Sequence, residues 1–282
     1  MPLYARIKQY FSPKSTSVLE SRVVVHLMRH GEAYHNIGHT RGQVNLQSYD
    51  IHDPFLTDDG IEQARYTREL MTERCPVPNI VLISPLARTI ETAIQVFPVT
   101  NPGSIVLQPQ IVAYDDLREC GPYLCNVRQG VTELSNEYNH KGVDFTALSP
   151  VIPPMESVIP TKQRAEIVRK EILGIVKIIR EGGGLWKGVY LQGPALQSMG
   201  WPLRTYTCED IHVVVVTHGS FIKYLLPSSH RHKLASKTFN LAEMRTYLMD
   251  AKGHLIETGE SKGTRTTAIR RKVSSIFTSA SG

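Results

Sequence analysis

The stretch that decides the fold is Val23-Val24-Val25-His26-Leu27-Met28-Arg29-His30-Gly31-Glu32. An apolar, β-branched run of this kind reads as a strand buried on both faces. It ends in an Arg-His pair handed to a glycine, and Gly31 suits the turn expected there because glycine tolerates positive φ. In open α/β sheets ligands lie beyond the carboxyl ends of strands, so a guanidinium beside an imidazole at this point suggests a phosphate-handling site. An isolated Arg-His pair is more often a solvated cation and a satisfied histidine. The rest of the chain decides against that reading.

A second stretch, Ile211-His212-Val213-Val214-Val215-Val216-Thr217-His218-Gly219-Ser220, repeats the arrangement and hands His218 and Gly219 to a helix predicted over 221–226. Two strands that each end in His-Gly can converge at one sheet edge. Between them, Asn79-Ile80-Val81-Leu82-Ile83 reads as a further buried strand running into Ser84-Pro85-Leu86-Ala87-Arg88-Thr89. Ser84 as N-cap and Pro85 as first helical residue predict a helix start that carries Arg88 in its first turn, beside free backbone N–H groups.

The connecting segments fill in an α/β chain. Thr57 is a natural N-cap, with Asp58 and Asp59 in the first turn of a helix predicted to reach about Glu73 and to end before Pro76 and Pro78. A strand or two falls within 105–113, and Ile167, Val168, Ile172, Ile175, Val176 and Ile179 share one face of a helix over 164–179 that Gly182-Gly183-Gly184 stops. Residues 37–53 and 120–160 are polar, glycine- and proline-rich stretches. The first is too long for a bare connection, and the second reads as an irregular, partly helical insertion over the sheet's carboxyl edge. Residues 185–209 read as a long loop, and 243–249 with 255–258 as a hairpin.

The 282 residues suit one large domain with an insertion, over 22–260, between an N-terminal extension (1–21) and a basic tail (261–282). The formal charge of +6 sits at the ends. Arg6, Lys8 and Lys14 give the first nineteen residues +3, and Lys262, Arg265, Arg270, Arg271 and Lys272 give the last twenty-two +5, which leaves −2 on the body. A broad nucleic-acid face is therefore not expected. The tail carries Ile269, Val273, Ile276 and Phe277 at roughly helical spacing, but its composition favours a flexible tail over a membrane-surface helix. No apolar run is long enough to span a bilayer, and the first twenty residues hold no secretory apolar core, so no stable membrane insertion is expected. Cys75, Cys120, Cys125 and Cys208 are few and unevenly spaced, which suits reduced thiols and a cytoplasmic location.

These residues resemble the histidine phosphatase superfamily, the phosphoglycerate-mutase-like fold. Five blocks occur in the family's order: Arg29-His30-Gly31-Glu32 with His35-Asn36; Asp53-Pro54 with Leu56-Thr57, Gly60 and Gln63-Ala64; Ser84-Pro85-Leu86 with Arg88-Thr89 and Thr92-Ala93; Leu117-Arg118-Glu119; and Thr217-His218-Gly219. The His-Asn pairing and Cys125-Asn126 look most like the fungal and plant branch. The resemblance implies a three-layer α/β sandwich whose mostly parallel central sheet is flanked by helices. It implies His30 as a nucleophile that must be neutral, with a hydrogen bond fixing its other ring nitrogen. Arg29, Arg88 and His218 would clamp the phosphoryl oxygens, Asn36 would donate to the same group, and backbone N–H groups near Gly219 would add to the clamp. Glu119 would protonate the leaving oxygen and later activate water, with Asp115 and Asp116 as fallback acids. His35, His39 and Arg41 would line the pocket. No metal or other cofactor is implied.

Mutases of the superfamily carry an Arg-Arg pair followed by a proline-rich stretch after the acid. Residues 120–160 hold Arg128 alone, and no such pair precedes Pro153-Pro154. Water is then the default acceptor, and hydrolysis of a small phosphorylated metabolite is favoured over mutase-type transfer. A low-turnover phospho-ligand binding module and a pocket adapted to a biosynthetic step stay open, and oligomeric state is not legible. Other phosphatase chemistries fail on sequence. Val81, Asn126, Val131 and Val214 stand where a cysteine nucleophile needs arginine six residues on, and no Asp-x-Asp occurs.

Overall fold

In a computed structural model, the chain is described over residues 21–38, 45–74, 77–99, 108–193, 210–226 and 238–262. The readings of residues 1–20, of His39 and Arg41, of Pro76, Cys75 and Cys208, and of the tail beyond Lys262 lie outside these.

A seven-stranded sheet runs in the order β4-β3-β2-β7-β1-β8-β9. Its strands are β1 (Val23–Arg29), β2 (Ile80–Ile83), β3 (Gln110–Ala113), β4 (Val143–Asp144), β7 (Ile211–Thr217), β8 (Met244–Met249) and β9 (Leu255–Glu257). The first four and β7 run parallel, while β8 and β9 add an antiparallel edge. β1 and β7 lie side by side at the centre, which is why both read as continuous apolar runs. Their register pairs Arg29 with Thr217, so His30 and His218 leave the sheet at the same level.

Alternate side chains of these strands feed two cores. Val25, Leu27, Val213 and Val215 pack on one face with α4 (Val158–Arg180) and α5 (Gly219–Leu225). Met28, Val214 and Val216 pack on the other with α1 (Asp58–Arg74), α2 (Ala87–Val96) and α3 (Val131–Tyr138). This is the three-layer sandwich. Each large aliphatic side chain buried in it contributes about 1.5–3 kcal/mol. Among the described residues no helix is long and apolar enough to cross a membrane. The 23-residue α4 is amphipathic, burying Val168, Ile172, Ile175, Val176 and Ile179. Ile167, expected on that face, is 46 % exposed.

Several local expectations change. Gly31 does not have positive φ; a Cβ there would stand 2.5 Å from the Gly60 carbonyl oxygen, so its need is close approach rather than a special turn. Thr57 caps α1 as expected, its Oγ1 accepting the Gly60 N–H at 3.1 Å. Helix α2 begins at Ala87, three residues after Ser84, because Asp53 Oδ1 supplies the cap by accepting the Ala87 N–H at 2.9 Å. Residues 183–192, read as loop, form a hairpin of β5 (Gly183–Trp186) and β6 (Val189–Gln192). Lys187 and Gly188 both take positive φ at its two-residue turn. Part of the 120–160 stretch joins the sheet as β4, and a buried ion pair, Arg128 Nε to Asp115 Oδ1 at 2.7 Å, pins it to the end of β3.

Candidate active site

His30 follows the last residue of β1 and is 2 % exposed. Its Nδ1 lies 2.7 Å from the carbonyl oxygen of Gly31. A carbonyl only accepts, so Nδ1 carries the proton and Nε2 keeps its lone pair. Burial, then the guanidinium groups of Arg88 and Arg29 and the ring of His35, hold the imidazole well below its ordinary pKa, with the Gly31 hydrogen bond acting in the opposite direction. A neutral ring that keeps the Nε2 lone pair is what nucleophilic attack at neutral pH requires.

His218 caps α5 after β7, and its ring centre stands 5.1 Å from that of His30. Its Nε2 is 2.8 Å from Ser84 Oγ, so the serine read as a helix cap serves this imidazole instead. Burial, then Arg88 and His30, keep His218 neutral as well. Arg88, fully buried in the first turn of α2, donates from Nη1 to the Cys125 carbonyl at 2.7 Å and from Nη2 to Asn126 Oδ1 at 3.1 Å. Arg29 Nη1 donates to the Phe239 carbonyl at 2.8 Å. Among the described residues, three buried nitrogens around His30 find no hydrogen-bond partner: Arg29 Nε, Arg88 Nε and His218 Nδ1. Each such group costs about 1–3 kcal/mol, and an anion reaching them would recover it.

A cavity of about 220 Å³ opens here, lined by Arg29, His30, His35, Asn36, Glu119 and Gly219 among others. Arg88 and His218, both fully buried, are not among the residues that line it. Asn36 Oδ1 accepts the Ala33 N–H at 3.0 Å, and its Nδ2 is 3.2 Å from His35 Nε2. Gly219 packs closely under the Arg29 guanidinium, since a Cβ there would stand 3.1 Å from Arg29 Nε.

Glu119 reaches the cavity, but through contacts that the sequence did not foretell. Its Oε1 accepts the N–H groups of Cys120 (2.9 Å) and Phe221 (3.0 Å), and Oε2 that of Ser220 (3.2 Å). Of the N–H groups near Gly219 expected to clamp an anion, those of Ser220 and Phe221 are therefore engaged by this carboxylate. The fallback acids are engaged elsewhere: Asp115 by Arg128 and the Ser149 N–H, Asp116 by the Tyr114 hydroxyl at 2.5 Å. Neither lines the cavity. Residues that sequence reading missed complete the wall. Tyr49 and Tyr123, with ring centres 4.6 Å apart, bring two separate loops together at it, joined by Cys120, Cys125, Asn126, Lys223 and Thr238. Tyr49 falls in the 37–53 stretch, and Cys120, Tyr123, Cys125 and Asn126 in the 120–160 stretch expected over the sheet's carboxyl edge, whereas Lys223 and Thr238 carry no signal in the sequence.

The model of the histidine phosphatase superfamily (branch 1) matches residues 25–174, more than half of the chain. The chain belongs to that superfamily. A probable phosphatase of Schizosaccharomyces pombe is 27 % identical over 155 residues, which cover 53 % of this chain and 65 % of that relative, a little under two thirds of its length. Among solved structures, the ecdysone phosphate phosphatase of Bombix mori, crystallised with tungstate, is 15 % identical and superimposes over 84 % of this chain and 92 % of its own with a TM-score of 0.51. A mycobacterial glucosyl-3-phosphoglycerate phosphatase is 18 % identical over 84 % of this chain and 97 % of its own, with a TM-score of 0.45. The Bombix mori likeness is one of fold, and it agrees with the mostly parallel sheet and its flanking helices.

Proposed function

We propose that this chain is a metal-independent phosphomonoester hydrolase that works through a phosphohistidine on His30. The observation that carries the reading is the Gly31 carbonyl holding the His30 Nδ1 proton at 2.7 Å, which leaves Nε2 as a lone pair among buried cationic and N–H groups. Family membership and the S. pombe relative support it.

In this reading the Nε2 lone pair attacks phosphorus in line, and the bond to the leaving oxygen breaks. Arg29, Arg88 and His218 take up the charge spread over the phosphoryl oxygens. Ser84 donates its hydroxyl to His218 Nε2, which leaves the His218 proton on Nδ1, the nitrogen free to donate to an anion. Asn36 turns an amide N–H to the same group. Glu119 gives its proton to the leaving oxygen from Oε2, which bears a single backbone contact against the two on Oε1. The resulting carboxylate then takes a proton from water, whose oxygen attacks phosphorus, and the phosphorus–nitrogen bond breaks to restore neutral His30.

The cavity suits a small phosphorylated metabolite, with the leaving group against Tyr49 and Tyr123. Residues 22–260 form the catalytic unit in this reading, with 1–21 and 261–282 appended. The unpaired thiols Cys120 and Cys125 at its wall suit a reducing cytoplasmic setting. The test is phosphate release from p-nitrophenyl phosphate in EDTA, with rapid acid-free quenching to trap an acid-labile phosphoryl group. Wild type turns over and is labelled, and His30→Ala does neither. Undiminished turnover in His30→Ala overturns the reading, and binding without turnover favours a phospho-ligand module.

A further inference from the structure

Arg164 takes no part in the chemistry above, does not line the cavity, and yet is 4 % exposed. It projects from α4 across to the segment that carries the acid. Its Nη1 donates to the carbonyl oxygens of Asp116 and Arg118, both at 2.7 Å. Its Nε donates to Glu156 Oε1 at 2.7 Å, and Nη2 reaches the same oxygen. The guanidinium carbon Cζ lies over the Phe221 ring, 4.3 Å from its centre. Glu156 is held in turn by the Thr161 hydroxyl (3.0 Å) and by Arg118 Nη2 (3.0 Å).

We propose that Arg164, held by Glu156, is a positioning residue for the acid Glu119, an inference that rests on the hydrolase reading. The Arg118 carbonyl belongs to the peptide link that leads into Glu119, and the Phe221 N–H is one of the donors to the Glu119 carboxylate. One guanidinium thus grips the backbone just before the acid and backs the residue that holds its oxygen. The Thr217 hydroxyl, donating to the Leu117 carbonyl at 2.6 Å, ties the same segment to the end of β7. A purely stabilising role does not account for this, because a buried ion pair is often no more stabilising than a well-packed apolar pair. What the arrangement supplies is direction. Only the rigid fork of arginine meets a carboxylate and two carbonyls at once while sitting over a ring, and a lysine ammonium cannot.

The leaving group provides the test. p-Nitrophenolate departs without a proton, whereas an alkoxide needs the acid, so glycerol 2-phosphate reports on Glu119 and p-nitrophenyl phosphate does not. kcat/KM covers only the steps through departure, so slow hydrolysis of the phosphoenzyme does not enter. Glu119→Gln is the benchmark, with kcat/KM on glycerol 2-phosphate falling roughly 100-fold or more, and much less on p-nitrophenyl phosphate. Arg164→Lys and Glu156→Gln follow the same selective pattern, with a loss of roughly 10- to 100-fold on the alkyl ester and less than about 3-fold on the aryl ester, as a misplaced catalytic group predicts. Glu156→Gln keeps Arg164 and its packing, so it carries the test should Arg164→Lys not fold. Parallel losses on both esters, or none, overturn the positioning role while a selective Glu119→Gln leaves the hydrolase reading standing. A non-selective Glu119→Gln overturns the acid assignment and the positioning role with it.

Discussion

Two histidines stack on one face of the sheet, and they contribute to how the protein responds to acid. His26 on β1 and His212 on β7 stack with ring centres 5.4 Å apart, His26 Nε2 lying 3.1 Å from His212 Nδ1 and His26 Nδ1 3.0 Å from Thr246 Oγ1. Burial and the neighbouring imidazole push His26 down to about 3. Burial pushes His212 down to about 4, partly opposed by Asp210. Both values lie below the ordinary 6.5, so as pH falls the unfolded chain takes up these protons first. Their stabilisation is complete above about pH 7, declines below 6.5, and stops changing only under the folded values. At pH 5 both remain neutral in the folded protein, so each has lost about 2 kcal/mol, a figure set by the unfolded value alone. His30 and His218 shift in the same direction. Asp53, pushed up to about 6 chiefly by burial, shifts the opposite way and returns about 1 kcal/mol over the same interval. The measurement is urea unfolding of wild type and His26→Gln at pH 7 and pH 5. The pH-dependent loss should be smaller in the variant by about 2 kcal/mol, whatever the substitution does at pH 7. Equal losses in the two proteins would refute the claim that His26 is held neutral.

Other substitutions probe the site directly. In Gly219→Ala the new Cβ meets Arg29 Nε at 3.1 Å and its Cδ and Cζ at 3.3 Å, so the guanidinium must give way by a few tenths of an ångström. kcat/KM for p-nitrophenyl phosphate should fall by roughly 10-fold while the melting temperature stays close to wild type. Ser84→Ala removes the hydroxyl 2.8 Å from His218 Nε2, which should weaken inhibition by orthovanadate by roughly 10-fold, about 1.4 kcal/mol of the cost of an unpaired buried nitrogen. In Gly60→Ala the Cβ would stand 2.0 Å from the Glu32 carbonyl oxygen, with backbone on both sides, and calorimetry should find at least about 1–3 kcal/mol lost.

How far the site was legible follows from how local its causes are. β1 and β7 could be read because a central parallel strand writes its burial into its own residues, and His30 and His218 follow directly from their ends. The cap of α1 was legible because Thr57 and the Gly60 N–H are three residues apart. Ser84 misled because its partner, His218, is 134 residues away, while the actual cap of α2 comes from Asp53, 34 residues upstream of Ala87. The β5–β6 hairpin was hidden for a different reason. Its turn places a lysine at φ 47°, where the usual signal is asparagine or aspartate followed by glycine. The same contrast divides the two histidines. The proton of His30 is set by the next residue in the chain, so its state could be anticipated from the chemistry of attack alone. His218 is bonded to a serine from another strand's end, and Glu119 depends on N–H groups 101 and 102 residues further on. Residue types at strand ends therefore announce which groups the fold gathers at the cavity. The direction in which each one points is decided by partners that only the folded sheet brings within reach.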